Sequence, residues 1–166
     1  MSKVIRQNRI EDDQVKVLRL GDDGSFAELP STGDVLVPLA QWLAEKTALQ
    51  ARGQVGVWLD SHEEVEVIAG DLPMLPRVGV NFPAFTDGRG YSTCRLLRDR
   101  YGYQGPVRAL GDVFKDVMFY LKRVGFDEFS VREDKSAEDA LAGLIDFAEV
   151  YQGAVDQPLP LFRRRA

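Results

Sequence analysis

The amino-acid sequence predicts an α/β fold of about five successive βα units on a parallel sheet, preceded by an N-terminal β-hairpin. Three observations carry that expectation. From Val35 onward, short apolar runs alternate with longer stretches of helical period. Strand–helix alternation of this kind implies parallel pairing through right-handed crossovers. Glycine or proline stands at most of the junctions. Five units suit either an open three-layer sheet or a partial barrel like a fragment of the eightfold one. The eight units of a complete single-chain barrel are missing.

Residues 1–34 form the hairpin region. Gln14–Leu20 alternates polar and apolar at the strand period, Gly21-Asp22-Asp23-Gly24 supplies turn chemistry, and Ser25–Leu29 can return as the partner strand. Pro30-Ser31-Thr32-Gly33 then punctuates before the βα core, residues 35–152. Val35–Val37 is its first strand, followed by a helix from Leu39 to Ala51 that Gly53 closes. Val55–Leu59 is the second strand. His62–Leu72 is read as a helix of mixed propensity, because Val65, Val67 and Ile68 are β-branched.

Arg77–Phe82 is the third strand, stopped by Pro83, and a helix over Tyr91–Tyr101 ends at Gly102. Pro106–Leu110 is the fourth strand, before an apolar helix over Val113–Val124 with Gly125 as its C′ residue. Glu128–Val131 is the fifth. Ser136 opens the last helix as an N-cap that accepts from the Asp139 amide, with a stripe at Ala137, Ala140, Leu141, Leu144, Ile145 and Ala148. Residues 153–166 carry Pro158 and Pro160 and are expected to be an extended tail.

A chain of 166 residues with 45% hydrophobic and 28% charged content fits a single globular domain. Its lone cysteine, Cys94, has no partner for an intramolecular disulfide. No run approaches the ~18 apolar residues that span a bilayer. Met1–Ile10 lacks the apolar segment of a secretory signal, so the expected location is cytoplasmic. The net charge of −5 argues against broad nucleic-acid binding, which needs a concentrated basic surface. Positive charge is nevertheless gathered in Arg89, Arg95, Arg98, Arg100 and Arg108, and again in Arg163-Arg164-Arg165.

Parallel βα folds hold ligands outside the carboxyl ends of their strands. That rule gathers Asp60-Ser61-His62, Asn81, Gly111-Asp112 and Arg132-Glu133 on one rim. The loop Asp87-Gly88-Arg89-Gly90-Tyr91-Ser92 is its richest member. Two glycines let backbone amides approach a ligand, a helix N-terminus follows, and Arg89 could fork onto phosphate, sulfate or carboxylate. The bland alternative is a tight turn in which Asp87 or Ser92 caps the helix and Arg89 is solvated. The loop matches neither the dinucleotide nor the P-loop fingerprint.

Other candidates are read with their plainer alternatives. His62 could serve as a general base, but beside Glu63 and Glu64 it fits a solvated residue better. Cys94 shares a stripe with Tyr91, Leu97 and Tyr101 and reads as a small buried hydrophobe. Asp112 reads first as the N-cap of the apolar helix; paired with Asp60 it could instead hold a hard cation. No metal site is expected. The helix over Val113–Val124 is apolar around more than one face, which favours a homo-oligomer. Phe162, Arg163 and Arg164 would suit a docking peptide for an acidic partner.

The run Asn81-Phe82-Pro83-Ala84-Phe85-Thr86-Asp87-Gly88-Arg89-Gly90-Tyr91-Ser92, followed by Arg95-Leu96-Leu97-Arg98, resembles a bacterial family called domain of unknown function 934. Arg108-Ala109-Leu110-Gly111-Asp112-Val113, Gly125-Phe126-Asp127 and Leu159-Pro160-Leu161-Phe162-Arg163-Arg164 look like the same family. Its members are commonly labelled oxidoreductases involved in sulfite reduction, because they tend to be encoded beside sulfite reductase. The resemblance implies a role in assimilatory sulfur metabolism, with sulfite reductase or its electron donor as partner. It carries over no catalytic residue. Cys94 stands where the resemblance leads one to expect alanine, and Ser61-His62 has no counterpart.

The residues themselves supply no dinucleotide fingerprint, no cysteine pair and no ligand set for siroheme or a cluster, so no cofactor is predicted. A flavin needs no short motif and stays open. Three readings therefore stand side by side: an accessory protein for electron delivery or assembly, an enzyme or sensor for a small anion at the rim, and a flavin-dependent reductase.

Overall fold

A computed structural model describes residues 2–147 and 149–164. Its frame is one eight-stranded sheet in the order β2-β1-β8-β7-β6-β5-β4-β3. The strands are β1 Lys3–Arg6, β2 Arg9–Asp12, β3 Lys16–Val17, β4 Val35–Pro38, β5 Val55–Leu59, β6 Val78–Phe82, β7 Val107–Gly111 and β8 Glu128–Phe129. From β3 to β8 every strand lies parallel to its neighbour in sequence. Crossovers of one hand that always step to the same side put their helices on one face and curl the sheet. The result is a curled half barrel, which decides between the two predicted architectures. β1 and β2 extend it as an antiparallel pair beside β8.

Strand alternation sorts the core into two parts. On the convex side Val57, Val80, Phe82, Val107 and Ala109 share a cluster with Trp42, Cys94, Leu97, Met118 and Leu121. Those last five come from α1 (Leu39–Arg52), α2 (Arg89–Arg95) with its continuation, and α3 (Lys115–Val124). On the concave side Leu36, Trp58 and Leu110 pack with Val15 and Val17 as a second, smaller cluster. Gly79 permits that packing, since a Cβ there would lie 2.7 Å from Trp58 Cβ and 3.0 Å from Leu110 Cδ1.

The curl is tight enough for three residues to span the open side. Asp13 N donates to Ser2 O at 3.0 Å, beside β1, and Lys16 N donates to Asp34 O at 3.0 Å, just before β4. Three residues reach at most ~10 Å. The segment then runs along β4, where Trp58 Nε1 donates to Leu18 O at 2.8 Å. A charged network fills the amino end of the concave face beneath it. Arg108, wholly buried, donates to Glu128 at 2.9 Å and to both Asp13 oxygens at 2.9 and 2.8 Å. Arg77 adds bonds of 2.8 and 3.2 Å to Glu128 and one of 3.3 Å to Asp34. Arg6 Nε lies 2.8 Å from Glu128 Oε1, a close ion pair off the axis of a hydrogen bond.

Several expected elements form elsewhere or differently. The hairpin is β1–β2, turning at Gln7 and Asn8, whose φ values of 49° and 58° are those of a two-residue type I′ turn. Gln14–Leu20 contributes only β3, and Ser25–Leu29 forms no strand. The apolar residues Val15 and Val17 gain more by covering the concave face than by pairing locally. His62–Leu72 becomes two 3-10 turns, Val65–Ile68 and Leu72–Met74. The helix predicted over Tyr91–Tyr101 is split between α2 and a π-helical Leu96–Arg100.

The apolar helix begins at Lys115 with extended Phe114 before it, so Asp112 does not cap it. The last core helix, α4 (Ala137–Gly143), starts at Ser136 as expected, with Ser136 Oγ accepting from Asp139 N at 3.0 Å. It stops short of the predicted stripe's end, and Ala148 lies outside the described residues. The tail is not simply extended. Leu161–Arg164 forms a short helix, α5, and Leu161 N donates to Tyr151 O at 2.8 Å. Arg165 lies outside the described residues. Among the described residues no helix is long and apolar enough to cross a membrane.

Candidate functional site

The rim predicted from strand order is assembled from small polar clips. Asp60 follows β5 and Asn81 is the penultimate residue of β6; Asn81 Nδ2 donates to Asp60 Oδ1 at 3.0 Å, which also accepts from Ser61 N at 2.8 Å. Asp112, past the end of β7, accepts from Phe85 N at 2.7 Å and from Arg132 Nη1. One carboxylate thus ties the loop after β6 to the loop after β8. Arg132 also forks onto Asp134 at 2.7 and 2.6 Å and lies 5.9 Å from the Phe114 ring centroid. These hydrogen bonds carry the Arg132 guanidinium above its ordinary value.

The loop Asp87–Ser92 is organised around an internal ion pair. Arg89 Nε and Nη2 donate to Asp87 at 2.9 and 2.7 Å, Arg89 N donates to the same carboxylate at 3.2 Å, and Nη2 reaches Ser61 Oγ at 3.0 Å. The bonds from Arg89 and Ser61 hold the Asp87 carboxyl far below the usual carboxylate range. Gly88 precedes α2 without any side-chain cap. Gly90 serves packing, because a Cβ there would meet the Phe82 ring at 2.7 Å. Tyr91 sits edge-on to Phe82 at 5.2 Å, and burial raises its hydroxyl. Ser92 is exposed and shares a cleft of about 530 Å³ with His62, Glu64 and Arg89.

The gathered arginines do not make a basic patch. Arg89 pairs with Asp87, Arg95 with Asp99, Arg98 with Asp127, Arg100 with Glu66, and Arg108 with Asp13 and Glu128. Arg98 is structural, donating at 2.7 Å to the carbonyls of both Tyr103 and Gly105 and at 2.9 Å to that of Gly125. Cys94 is fully buried, and burial pushes its thiol far above the ordinary range, which removes thiolate chemistry at neutral pH.

Sequence reasoning missed part of the mouth. Ser130 lies outside the predicted rim; its Oγ, like Oδ1 of the predicted Asn81, is buried with no hydrogen-bond partner among the described residues. Alternation from Glu128, which faces the concave side, would have placed Ser130 there too. Lys16 and Arg19 also lie outside the predicted rim, because the hairpin expectation pairs Gln14–Leu20 with Ser25–Leu29 and not with β4. They line a cleft of about 420 Å³ with Val15, Leu110, Gly111, Ser130 and Arg132.

A second region stands apart from the rim. Phe119 stacks edge-on against Phe147 at 4.9 Å and Tyr120 at 5.7 Å, while Tyr151 meets Phe162 at 6.3 Å. Tyr120, Ile145, Phe147, Tyr151, Leu159 and Phe162 are each more than half exposed. Arg123 organises the chain here, pairing with Asp156 at 2.7 Å and accepting Val155 N on its carbonyl at 3.1 Å. Arg164 Nη2 donates to Val150 O at 2.6 Å, and Arg163 lies 6.0 Å from the Phe162 ring centroid.

The family model described as "Bacterial protein of unknown function (DUF934)" matches residues 56–162. Those residues include every rim clip and the whole exposed aromatic group, and they leave out the hairpin and the crossing segment. No curated protein and no solved structure matches the chain.

Proposed function

We propose a function from the premise that the chain belongs to the DUF934 family of bacterial proteins. It is an accessory protein of assimilatory sulfite reduction that docks onto sulfite reductase or its electron donor, aiding electron delivery or assembly in the cytoplasm. The association with sulfite reduction rests on the family resemblance. The observation that carries the docking role is the group of six large apolar side chains, each more than half exposed, contributed by α3 and the segment after α4. Exposed apolar groups of this kind mark interaction surfaces, and aromatic residues beside arginine dominate binding energy where proteins meet.

Co-purification of the full chain with sulfite reductase and with its donor tests the role. Tyr151→Ala with Phe162→Ala, and separately removal of residues 158–166, should weaken capture by about tenfold or more. Capture that survives both changes undiminished discards the docking face. Light scattering on the protein alone checks whether the same face pairs two copies, as expected for a homo-oligomer.

A second reading, a small-anion enzyme or sensor acting at the rim through Arg89 and the amides of Gly90, Tyr91 and Ser92, is favoured by the open cleft beside Arg89. Calorimetry with sulfite, sulfate, phosphate and nucleotides tests it.

A further inference from the structure

We infer that the mouth of the half barrel, between the crossing segment and the ends of β7 and β8, binds a small molecule bearing a tetrahedral oxyanion. This site lies away from the aromatic face, and it differs from the anion site read into the Asp87–Ser92 loop.

The cleft of about 420 Å³ is of the size that takes a small ligand, and it lies at the carboxyl ends of parallel strands, where such folds bind. Its walls combine the apolar side chains of Val15, Val17 and Leu110 with Lys16, Arg19 and Ser130. A second hollow of about 450 Å³ shares Ser2, Lys3, Val131, Arg132 and Glu133 with it and continues to Lys135 and Ser136. The organic part of a ligand has room there.

Charge selects the ligand class. Lys16 and Arg19 have no carboxylate partner among the described residues, whereas all five arginines between Arg89 and Arg108 do. Arg19 is held 5.3 Å from the Trp58 ring centroid, a contact that orders a guanidinium without neutralising it. Of the two carboxylates that line the cleft, Asp13 is already neutralised by Arg108 through two bonds, and Glu133 is exposed to solvent. Ser130 Oγ adds a buried hydroxyl with no partner among the described residues. Two cations and a hydroxyl donor match an anionic group with three acceptor oxygens better than a metal ion or a cationic ligand. Phosphate, sulfate and sulfite share that chemistry.

Calorimetry on the full chain with sodium phosphate, sulfate and sulfite, each as a separate titration, tests the site. Amide NMR reports its location through shifts at Gly111, Ser130 and Val131. Saturable binding of phosphate alone identifies a phosphorylated ligand; binding of sulfate or sulfite alone identifies a sulfur oxyanion. Lys16→Met with Arg19→Met, both exposed positions, should weaken binding by about tenfold or more with an unchanged unfolding midpoint. Arg95→Ala, which removes a surface pair with Asp99 outside the cleft, should leave binding as it was. No saturable binding of any of the three anions, or binding lost with Arg89→Ala and kept in the double variant, overturns the inference. Failure here leaves the docking role untouched, since co-purification reads a different surface.

Discussion

The two ends of the concave face are built from the same residue types to opposite effect. At the amino end three arginines, Arg6, Arg77 and Arg108, meet three carboxylates, Asp13, Asp34 and Glu128, in a cluster whose centre is wholly buried. At the carboxyl end the polar groups form separate pairs, Asp60 with Asn81, Arg89 with Asp87, and Arg132 with Asp112. They leave Asn81 Oδ1 and Ser130 Oγ without partners among the described residues. Arg108 Nη2 and Arg6 Nε lack hydrogen bonds at the amino end too, but both sit among carboxylates that balance their charge. The foot is charge-balanced and closed, and so works as structure. The mouth keeps unspent hydrogen-bonding capacity, which is what a ligand requires.

Glu128→Gln offers the largest test of that contrast. It leaves three guanidinium groups around a neutral amide, and breaking a buried charge cluster on one side costs about 3–5 kcal/mol. Urea unfolding reads it. Burial alone would raise the Glu128 carboxyl, but Arg77 and Arg108 outweigh it and hold it below its ordinary value of 4.5. A carboxyl depressed on folding stabilises fully above its unfolded value, and that contribution is lost as pH falls through the lower folded one. Wild-type stability should therefore drop with acid below about pH 4.5, and Glu128→Gln should flatten that limb. A cost under about 1 kcal/mol would make the foot no different from a surface pair.

The strands of the parallel core are legible in the sequence because both faces of β4 to β7 are buried, so each reads as a short apolar run between punctuating residues. The hairpin was misplaced for a local reason. Its turn needs two residues in the left-handed region, and Gln7-Asn8 gives a weaker signal than the glycines at 21 and 24. Gln14–Leu20 does alternate, but β3 pairs in parallel with β4 and not with the segment that follows it. The rim positions followed from strand order alone. Their pairing did not, because Asp112 and Arg132 lie 20 residues apart and Asp60 and Asn81 21. Asp87 and Arg89 are only two apart, and that spacing could have warned that Arg89 is self-neutralised.

Asp112→Asn sharpens the comparison from the rim side. The change keeps an oxygen for Phe85 N but weakens a charge-assisted bond of 2.7 Å and the tie to Arg132. One weakened, partly exposed bond costs about 1 kcal/mol, well below the figure for Glu128. Hydrogen exchange should speed at the Phe85 amide and in residues 84–88, while the amides of β7 keep their protection. A global loss as large as that of Glu128→Gln would mean that the mouth is as structural as the foot.

Arg89→Ala should do least of all. Its guanidinium is mostly exposed and its partner is a carboxylate of its own loop, so the pair stabilises little beyond the loop's own conformation. The unfolding midpoint should stay within error of wild type. Anion titration should be equally indifferent, because an incoming oxyanion would have to displace a carboxylate that the chain delivers at high effective concentration. The groups set free are Ser61 Oγ and Asp87, and the Asp87 carboxyl should return toward the ordinary range as its strongest hydrogen-bond donor disappears. Carboxyl NMR across a pH series reads that return directly. A rise at Asp87 with anion binding intact leaves the mouth, with Lys16 and Arg19, as the rim's free positive charge. Binding that vanishes with Arg89 would move the site back to the glycine loop.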